Sequence, residues 1–150
     1  MSMKASVLIN CPIHAVFECT NDHVTKWSSI VKEEEMLNVT PEKVGSTFRT
    51  ITNEHGREMT FDGVVTKYNP PYESGIRMEG EAFRLTADYC FKEVPQGTRV
   101  TQTSTVQGKG IFSILIPIMG FFMKKSNCQA LQNELNQLKR FCESSADSEA

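Results

Sequence analysis

The stretch IFSILIPIMGFFMKKSNCQALQNELNQLKRFC, residues 111–142, decides the fold of this chain. Its first part, Ile111–Met123, is apolar apart from Ser113 and Gly120. In its second part the apolar side chains recur three or four positions apart, at Cys128, Leu131, Leu135, Leu138 and Cys142. This spacing places one apolar stripe along a helix. We therefore predict one long helix over Ile111–Cys142, kinked near Pro117 and Gly120.

Such a helix is longer than packing in a small domain requires. At about 1.5 Å per residue it would span roughly 45 Å. Its first half is apolar on all sides, so that half needs cover on several sides, a ligand or a partner. A curved sheet packed around the helix would enclose space, and that space is the candidate for a function.

Composition narrows the class of protein. A chain of 150 residues with 39% hydrophobic and 23% charged residues fits one globular domain, 1–150. The net charge of −2 gives no basic field for nucleic acid. Five cysteines without a repeated spacing favour reduced thiols in the cytoplasm. The N-terminal segment lacks a signal-peptide core, and Ile111–Met123 is too short to span a bilayer.

The remaining segments alternate as strands do, with two short helices near the start. We predict a strand over Lys4–Asn10 and helices over Ile13–Thr20 and from Asp22 or His23 to Ser28. The strongest alternation is in Phe83–Glu93, where Phe83, Leu85, Ala87, Tyr89 and Phe91 share one face. Further strands are expected over Ser46–Asn53, Glu58–Tyr68, Glu73–Gly80 and Thr98–Val106, with Lys32–Met36 as a solvated connection or exposed edge strand.

Short turns between these strands require an antiparallel meander. The predicted fold is α+β: a curved antiparallel sheet of about seven strands around a long C-terminal helix, with two short helices after the first strand. Residues 144–150 are small and acidic, and we expect them to form a frayed tail.

Four local features carry a resemblance to a known superfamily. Residues 11–17, CPIHAVF, resemble its strand end and proline-started helix, and residues 26–31, KWSSIV, resemble its tryptophan segment. Residues 68–71, YNPP, resemble its double-proline turn, and residues 131–139, LQNELNQLK, its closing helix. In this order they resemble the START-like (SRPBCC) superfamily with its helix-grip fold, in the polyketide cyclase/dehydrase-like branch.

The resemblance covers about residues 3–143 and implies a pocket for a hydrophobic or amphipathic small molecule, lipid- or polyketide-like. It does not imply catalysis, since many members only bind or carry. The glycine-rich loop of the pollen-allergen branch is absent, as are the paired catalytic residues of known aromatase/cyclases. No cofactor is expected.

The expected pocket lies between the concave face of the sheet and the last helix. From the sheet we expect Phe48, Phe61, Met78, Phe83, Leu85 and Tyr89, with Trp27 as a wall near the entrance. The helix should contribute Ile114, Leu115, Met119 and Phe122. The same residues would also serve as a filled core. Polar groups that fix ligand orientation would come from Arg49, Tyr89, Gln102 and Ser104.

Other chemistry has weaker support. The spacing does not match a zinc finger for the set Cys11, His14, Cys19 and His23, so no metal site is expected. Asp62, Glu58 and Glu79 are expected on the outer face rather than as buried bases, and we assign no catalytic residue. A cyclase or dehydrase remains the first alternative.

The second alternative is an interaction module that uses the terminal helix. The apolar residues 118–123, followed by Lys124 and Lys125, favour a contact with a partner or a second copy of the chain over a membrane contact.

Overall fold

Seven strands and three helices form the part of the chain that the computed structural model describes. The backbone is described for residues 2–54 and 56–149, and the side chains of 117–124 and 146–149 are left out. In chain order the elements are β1 (Ser2–Ile9), α1 (Ile13–Asp22), α2 (Val24–Trp27), β2 (Val31–Asn38), β3 (Thr47–Glu54), β4 (Arg57–Asn69), β5 (Glu73–Glu79), β6 (Phe83–Val94), β7 (Gly97–Gly108) and α3 (Phe112–Glu149).

The strands form one antiparallel sheet in the order β1-β7-β6-β5-β4-β3-β2. Strands β2 to β7 follow one another as neighbours, because short turns join them. The two short helices carry the chain from β1 to β2, which lie at opposite edges of the sheet. The prediction of an α+β helix-grip fold with about seven strands is confirmed.

The hydrophobic core lies where α3 crosses the β1 side of the sheet. Helix α3 contacts β1, β7, α1 and α2. Leu135 and Leu138 of its apolar stripe are completely buried, and they belong to one cluster with Ile9 of β1, Val16 of α1 and Val100 of β7. The apolar stripe of α3 is therefore the surface that packs against the β1 edge of the sheet.

The terminal helix is longer than its sequence pattern indicates. It starts at Phe112 and continues to Glu149, beyond the predicted end at Cys142, so the segment expected to fray, 144–150, is helical through residue 149. The kink expected near Pro117 and Gly120 falls on 117–124, outside the residues whose side chains are described.

Strand β2 is an edge strand with two register shifts against β3. One shift lies between Val31 and Glu33, and the other between Met36 and Asn38. Between them Glu34 lies opposite Thr50, and Glu35 lies opposite Arg49. Because successive side chains point to opposite faces, Glu34 and Glu35 lie on different sides of the sheet. The prediction of Lys32–Met36 as an exposed edge strand holds for the backbone, although Glu34 turns inward.

Replacing Leu135 by Ala should destabilise the fold by about 2–5 kcal/mol, because a fully buried leucine leaves a cavity when truncated. Asn133→Ala is the matched control two positions away on the exposed side of the same helix, and it should change stability by less than about 0.5 kcal/mol. Urea unfolding followed by circular dichroism measures both. Equal losses in the two variants would contradict the position assigned to the core.

Candidate functional site

A cavity of about 370 Å³ lies between the sheet, α2 and the middle of α3. Its helix side is formed by Asn127, Ala130, Leu131 and Glu134. The cavity adjoins the core but is not part of it, because α3 packs against the β1 side of the sheet while the wall extends to side chains of β3, β4 and β5. The inner faces of these middle strands therefore remain open to the cavity.

The apolar wall comes mainly from β4, β5 and β6. Phe61 and Phe83 meet with their ring centroids 5.7 Å apart. Met78 and Leu85, which pair across β5 and β6, extend the same surface. A Cβ at position 80 would lie 2.6 Å from the Phe61 ring, which is closer than real Cβ contacts. The observed position of the Phe61 ring therefore requires glycine at this place.

Trp27 closes one side of the cavity from α2. Its side chain is buried, and the indole Nε1 donates a hydrogen bond to the carbonyl oxygen of Cys19 at 3.0 Å. This bond joins α2 to α1 and satisfies the polar edge of the ring. The indole therefore forms a fixed wall.

Glu134 joins α3 to the segment between α2 and β2. Its carboxylate accepts hydrogen bonds from the hydroxyls of Ser28 and Ser29, and the Ser29 amide donates to Oε1 at 2.9 Å. The Ser28 hydroxyl oxygen in turn accepts bonds from the amides of Ile30 and Val31, both at 3.1 Å. One carboxylate thus fixes the boundary of the cavity on the α2 side.

A second polar group lies on the inner faces of β2 and β3. Glu34 and the two threonines Thr50 and Thr52 all line the cavity. The threonines are almost completely buried, and their hydroxyls have no hydrogen-bond partner among the described atoms. Glu34 keeps exposed surface at this edge of the sheet, but desolvation by the surrounding atoms still raises the pKa of its carboxyl above the ordinary value.

Tyr89, Gln102 and Ser104 form the polar part of the wall on β6 and β7. Gln102 donates from Nε2 to the Ser104 hydroxyl at 3.1 Å. Burial raises the pKa of Tyr89, and the negative charges of Glu134 and Glu34 raise it further. Tyr89 therefore stays a neutral phenol that can donate one hydrogen bond.

Most of the residues expected from the sequence meet at this cavity. Trp27 lines it, and so do Phe61, Met78, Phe83, Leu85, Tyr89 and Gln102. Phe48 is buried on the same face of the sheet, but its ring lies over Gly63 and does not reach the cavity.

The start of α3 lies elsewhere. Ile114 and Leu115 are 65% and 40% exposed and do not line the cavity. Met119 and Phe122, with the rest of 118–123, fall outside the described side chains. Among the described side chains of α3, those that line the cavity begin at Asn127.

The other charged candidates lie on the outer face. Arg49 pairs with Asp62 at 3.1 Å, and Glu58 pairs with Lys32 at 3.1 Å. Glu79 pairs with Lys109 at 2.8 Å, and hydrogen bonds from Lys109 and Arg84 lower its pKa. None of the three carboxylates lines the cavity.

Three cysteines lie close together: Cys19 of α1, Cys142 of α3, and Cys11, which follows β1. Burial raises the pKa of Cys142, and its hydrogen bond to Cys19 and the nearby Cys11 raise it further. Such a thiol is a poor nucleophile. Within the described part of the chain, no group of three or more His, Cys, Asp or Glu residues is arranged to hold a metal ion.

A family model described as polyketide cyclase/dehydrase and lipid transport matches residues 1–143. The chain belongs to this family. No curated protein matches the chain at a significant level.

Solved structures support the same fold at low sequence identity. The chain is similar to TTHA0849 of Thermus thermophilus, with 17% identity, a TM-score of 0.74 and coverage of 100% of this chain and 99% of that one. It is also similar to the di-domain ARO/CYC StfQ of the steffimycin biosynthetic pathway, with 14% identity, a TM-score of 0.74 and coverage of 97% and 52%. Ara h 8.0201 gives 12% identity, a TM-score of 0.68 and coverage of 96% and 98%. At these identities the likeness shows the fold alone.

No helix in the described part of the chain has both the length and the apolar character needed to cross a bilayer.

Replacing Glu134 by Ala should loosen the segment between α2 and β2, because it removes the acceptor for two hydroxyls and one amide. Hydrogen exchange of the Ser29 amide should speed up by about tenfold or more, as expected for loss of a bond to a charged acceptor. Glu134→Gln keeps one acceptor oxygen and should have a smaller effect. NMR-detected exchange measures this, with amides of β6 and β7 as the internal reference. Unchanged exchange at Ser29 would contradict the anchoring role.

Proposed function

We propose that this protein binds a hydrophobic or amphipathic small molecule in the cavity between the sheet and α3. The observation that carries the proposal is the cavity itself, about 370 Å³ with an aromatic and aliphatic wall and a few polar groups. Small-molecule sites in proteins have volumes of about 300–1,000 Å³ and this kind of lining. A guest would lie against Phe61, Phe83 and Leu85, with Trp27 beside it.

Family membership supports this proposal, because the family description names lipid transport beside polyketide chemistry. The five free cysteines favour the cytoplasm as the place of binding. A contact between two copies of the chain remains a prediction that depends on residues 118–123.

A cyclase-type reaction is the second candidate, and one observation favours it. Glu34 faces the cavity with a pKa raised by burial, and the neutral Tyr89 hydroxyl lines the same space. A carboxyl group of this kind can exchange a proton with a bound ketone, while a phenol can donate a hydrogen bond to its oxygen. In this reaction Glu34→Gln would abolish turnover but leave binding of a neutral ligand intact, which separates catalysis from binding.

Replacing Leu85 by Trp should fill much of the cavity and weaken uptake of a neutral dye such as Nile red by about tenfold or more. The larger side chain occupies the space of the guest and costs about 1–3 kcal/mol of stability if the wall must adjust. Fluorescence titration measures uptake, and circular dichroism checks that the fold is retained.

The matched control is Ile51→Trp, which adds the same ring on β3 at a position that does not line the cavity. It should leave dye uptake unchanged. Equal uptake by the wild-type protein and the Leu85→Trp variant would contradict the proposed binding place. Native mass spectrometry of the protein purified from its own host tests the proposal independently, since a bound guest adds its mass.

A further inference from the structure

The cavity carries an unusual balance of charge for a lipid site. Three carboxylate side chains line it: Glu34, Glu54 and Glu134. No Lys, Arg or His is found among the lining residues within the described part of the chain. A fatty acid or another anion would meet repulsion from these carboxylates and no cationic side chain among the described lining residues.

The three carboxylates differ in what they already bind. Glu134 is occupied by Ser28 and Ser29. Glu54 ends β3 at its solvent-exposed tip. Glu34 has no hydrogen bond or ion pair to any described residue, and burial is the sole cause of its raised pKa. Of the two carboxylates without such a bond, Glu34 is the one that lies opposite a buried residue, Thr50, so we assign the ligand contact to Glu34.

Two buried hydroxyls lie next to Glu34. Thr50 is its direct partner across the β2–β3 ladder, and Thr52 follows two positions along the same face. Their side-chain oxygens are almost completely buried, line the cavity and lack a partner among the described atoms. A buried hydroxyl without a partner has lost its hydrogen bonds to water without replacement, so a ligand that supplies donors or acceptors here gains affinity.

We propose that the ligand is a cationic amphiphile: a primary ammonium group bound by the carboxylate of Glu34 and the hydroxyl oxygens of Thr50 and Thr52, with its apolar body against Phe61 and Phe83. An ammonium group offers three N–H donors, which match one carboxylate and two hydroxyl acceptors. Its charge also offsets the repulsion among the carboxylates. This inference rests on the proposed function, because it names the ligand class of the same cavity.

Binding should depend on pH in a defined direction. An ammonium group favours the ionised carboxylate, and the empty cavity favours the protonated one, so ligand binding lowers the pKa of Glu34. Affinity is therefore full above the raised pKa of Glu34 and falls as the pH drops through it. Glu54 and Glu134 also face the cavity and Tyr89 lies opposite, so the Glu34→Gln variant is needed to assign the titration.

The test uses three ligands with one tail and different head groups: decylamine, decan-1-ol and decanoate. Isothermal titration calorimetry and displacement of Nile red give their affinities for the wild-type protein at a pH of about 7.5, where the amine is protonated. Decylamine should bind about tenfold more tightly than decan-1-ol, and decanoate more weakly than both.

Glu34→Gln should reduce the ratio between decylamine and decan-1-ol to near one and remove the loss of affinity at low pH. Glu35→Gln is the matched control, because it removes the same charge from the neighbouring position of β2 on the outer face. It should keep the preference for the amine. If Glu34→Gln fails to fold, Glu34→Ala removes the same charge and should give the same loss of amine preference and of pH dependence.

Each outcome separates this inference from the proposed function. Three results would overturn the assignment to Glu34 and leave the cavity as a neutral binding site. They are equal affinity for all three head groups, a preference for decanoate, and an amine preference that survives Glu34→Gln. If Glu35→Gln loses the amine preference to the same extent, the preference comes from the net charge of the protein. That result also overturns the assignment to Glu34. Failure to bind any of the three ligands or Nile red contradicts the proposed function itself.

Discussion

The structure depends on where α3 can bury its apolar stripe. Leu135 and Leu138 have no exposed surface, and their cluster joins them to Ile9 and Val100. Burial of such side chains contributes about 1.5–3 kcal/mol each, so this contact fixes the helix against the β1 side of the sheet. Because the helix is held there, the inner faces of the middle strands are left to line the cavity. The core and the cavity are consequences of one packing choice.

The polar side chains around that cavity fall into two groups, those with hydrogen-bond partners and those without. The Glu134 carboxylate accepts three hydrogen bonds from the α2–β2 segment, and the Trp27 indole donates to the Cys19 carbonyl. These groups shape the boundary but have little capacity left for a ligand. Glu34, Thr50 and Thr52 have the opposite property, since their side chains line the cavity without partners among the described atoms. Buried polar groups in proteins are normally satisfied, so unsatisfied hydroxyls beside a cavity indicate that a ligand or solvent completes them.

The sequence predicts most of this fold because its strongest patterns are local. Alternation in Phe83–Glu93 places Phe83, Leu85 and Tyr89 on the inner face of β6, and the three-and-four spacing in α3 predicts its buried stripe. The polar side of the cavity depends on non-local register. The shift between Val31 and Glu33 sets which of three consecutive glutamates turns inward, and a run of identical charges gives no signal for that choice. Thr50 and Thr52 alternate with Arg49 and Ile51 on β3, so the inward position of Phe48 would have revealed them.

Ile114 and Leu115 show the limit of composition as a guide to a site. Their apolar character predicts burial, but both side chains are exposed, because apolar character does not by itself supply an opposing surface. The charge of the lining is a stronger guide to ligand class. Apolar walls accept many tails at similar free energy, whereas a carboxylate with no cationic partner discriminates between head groups of opposite charge. Under the proposed assignment, two proteins with the same helix-grip fold would bind different ligand classes if one inward position on β2 differed, because the fold would supply the space and that side chain would select the head group.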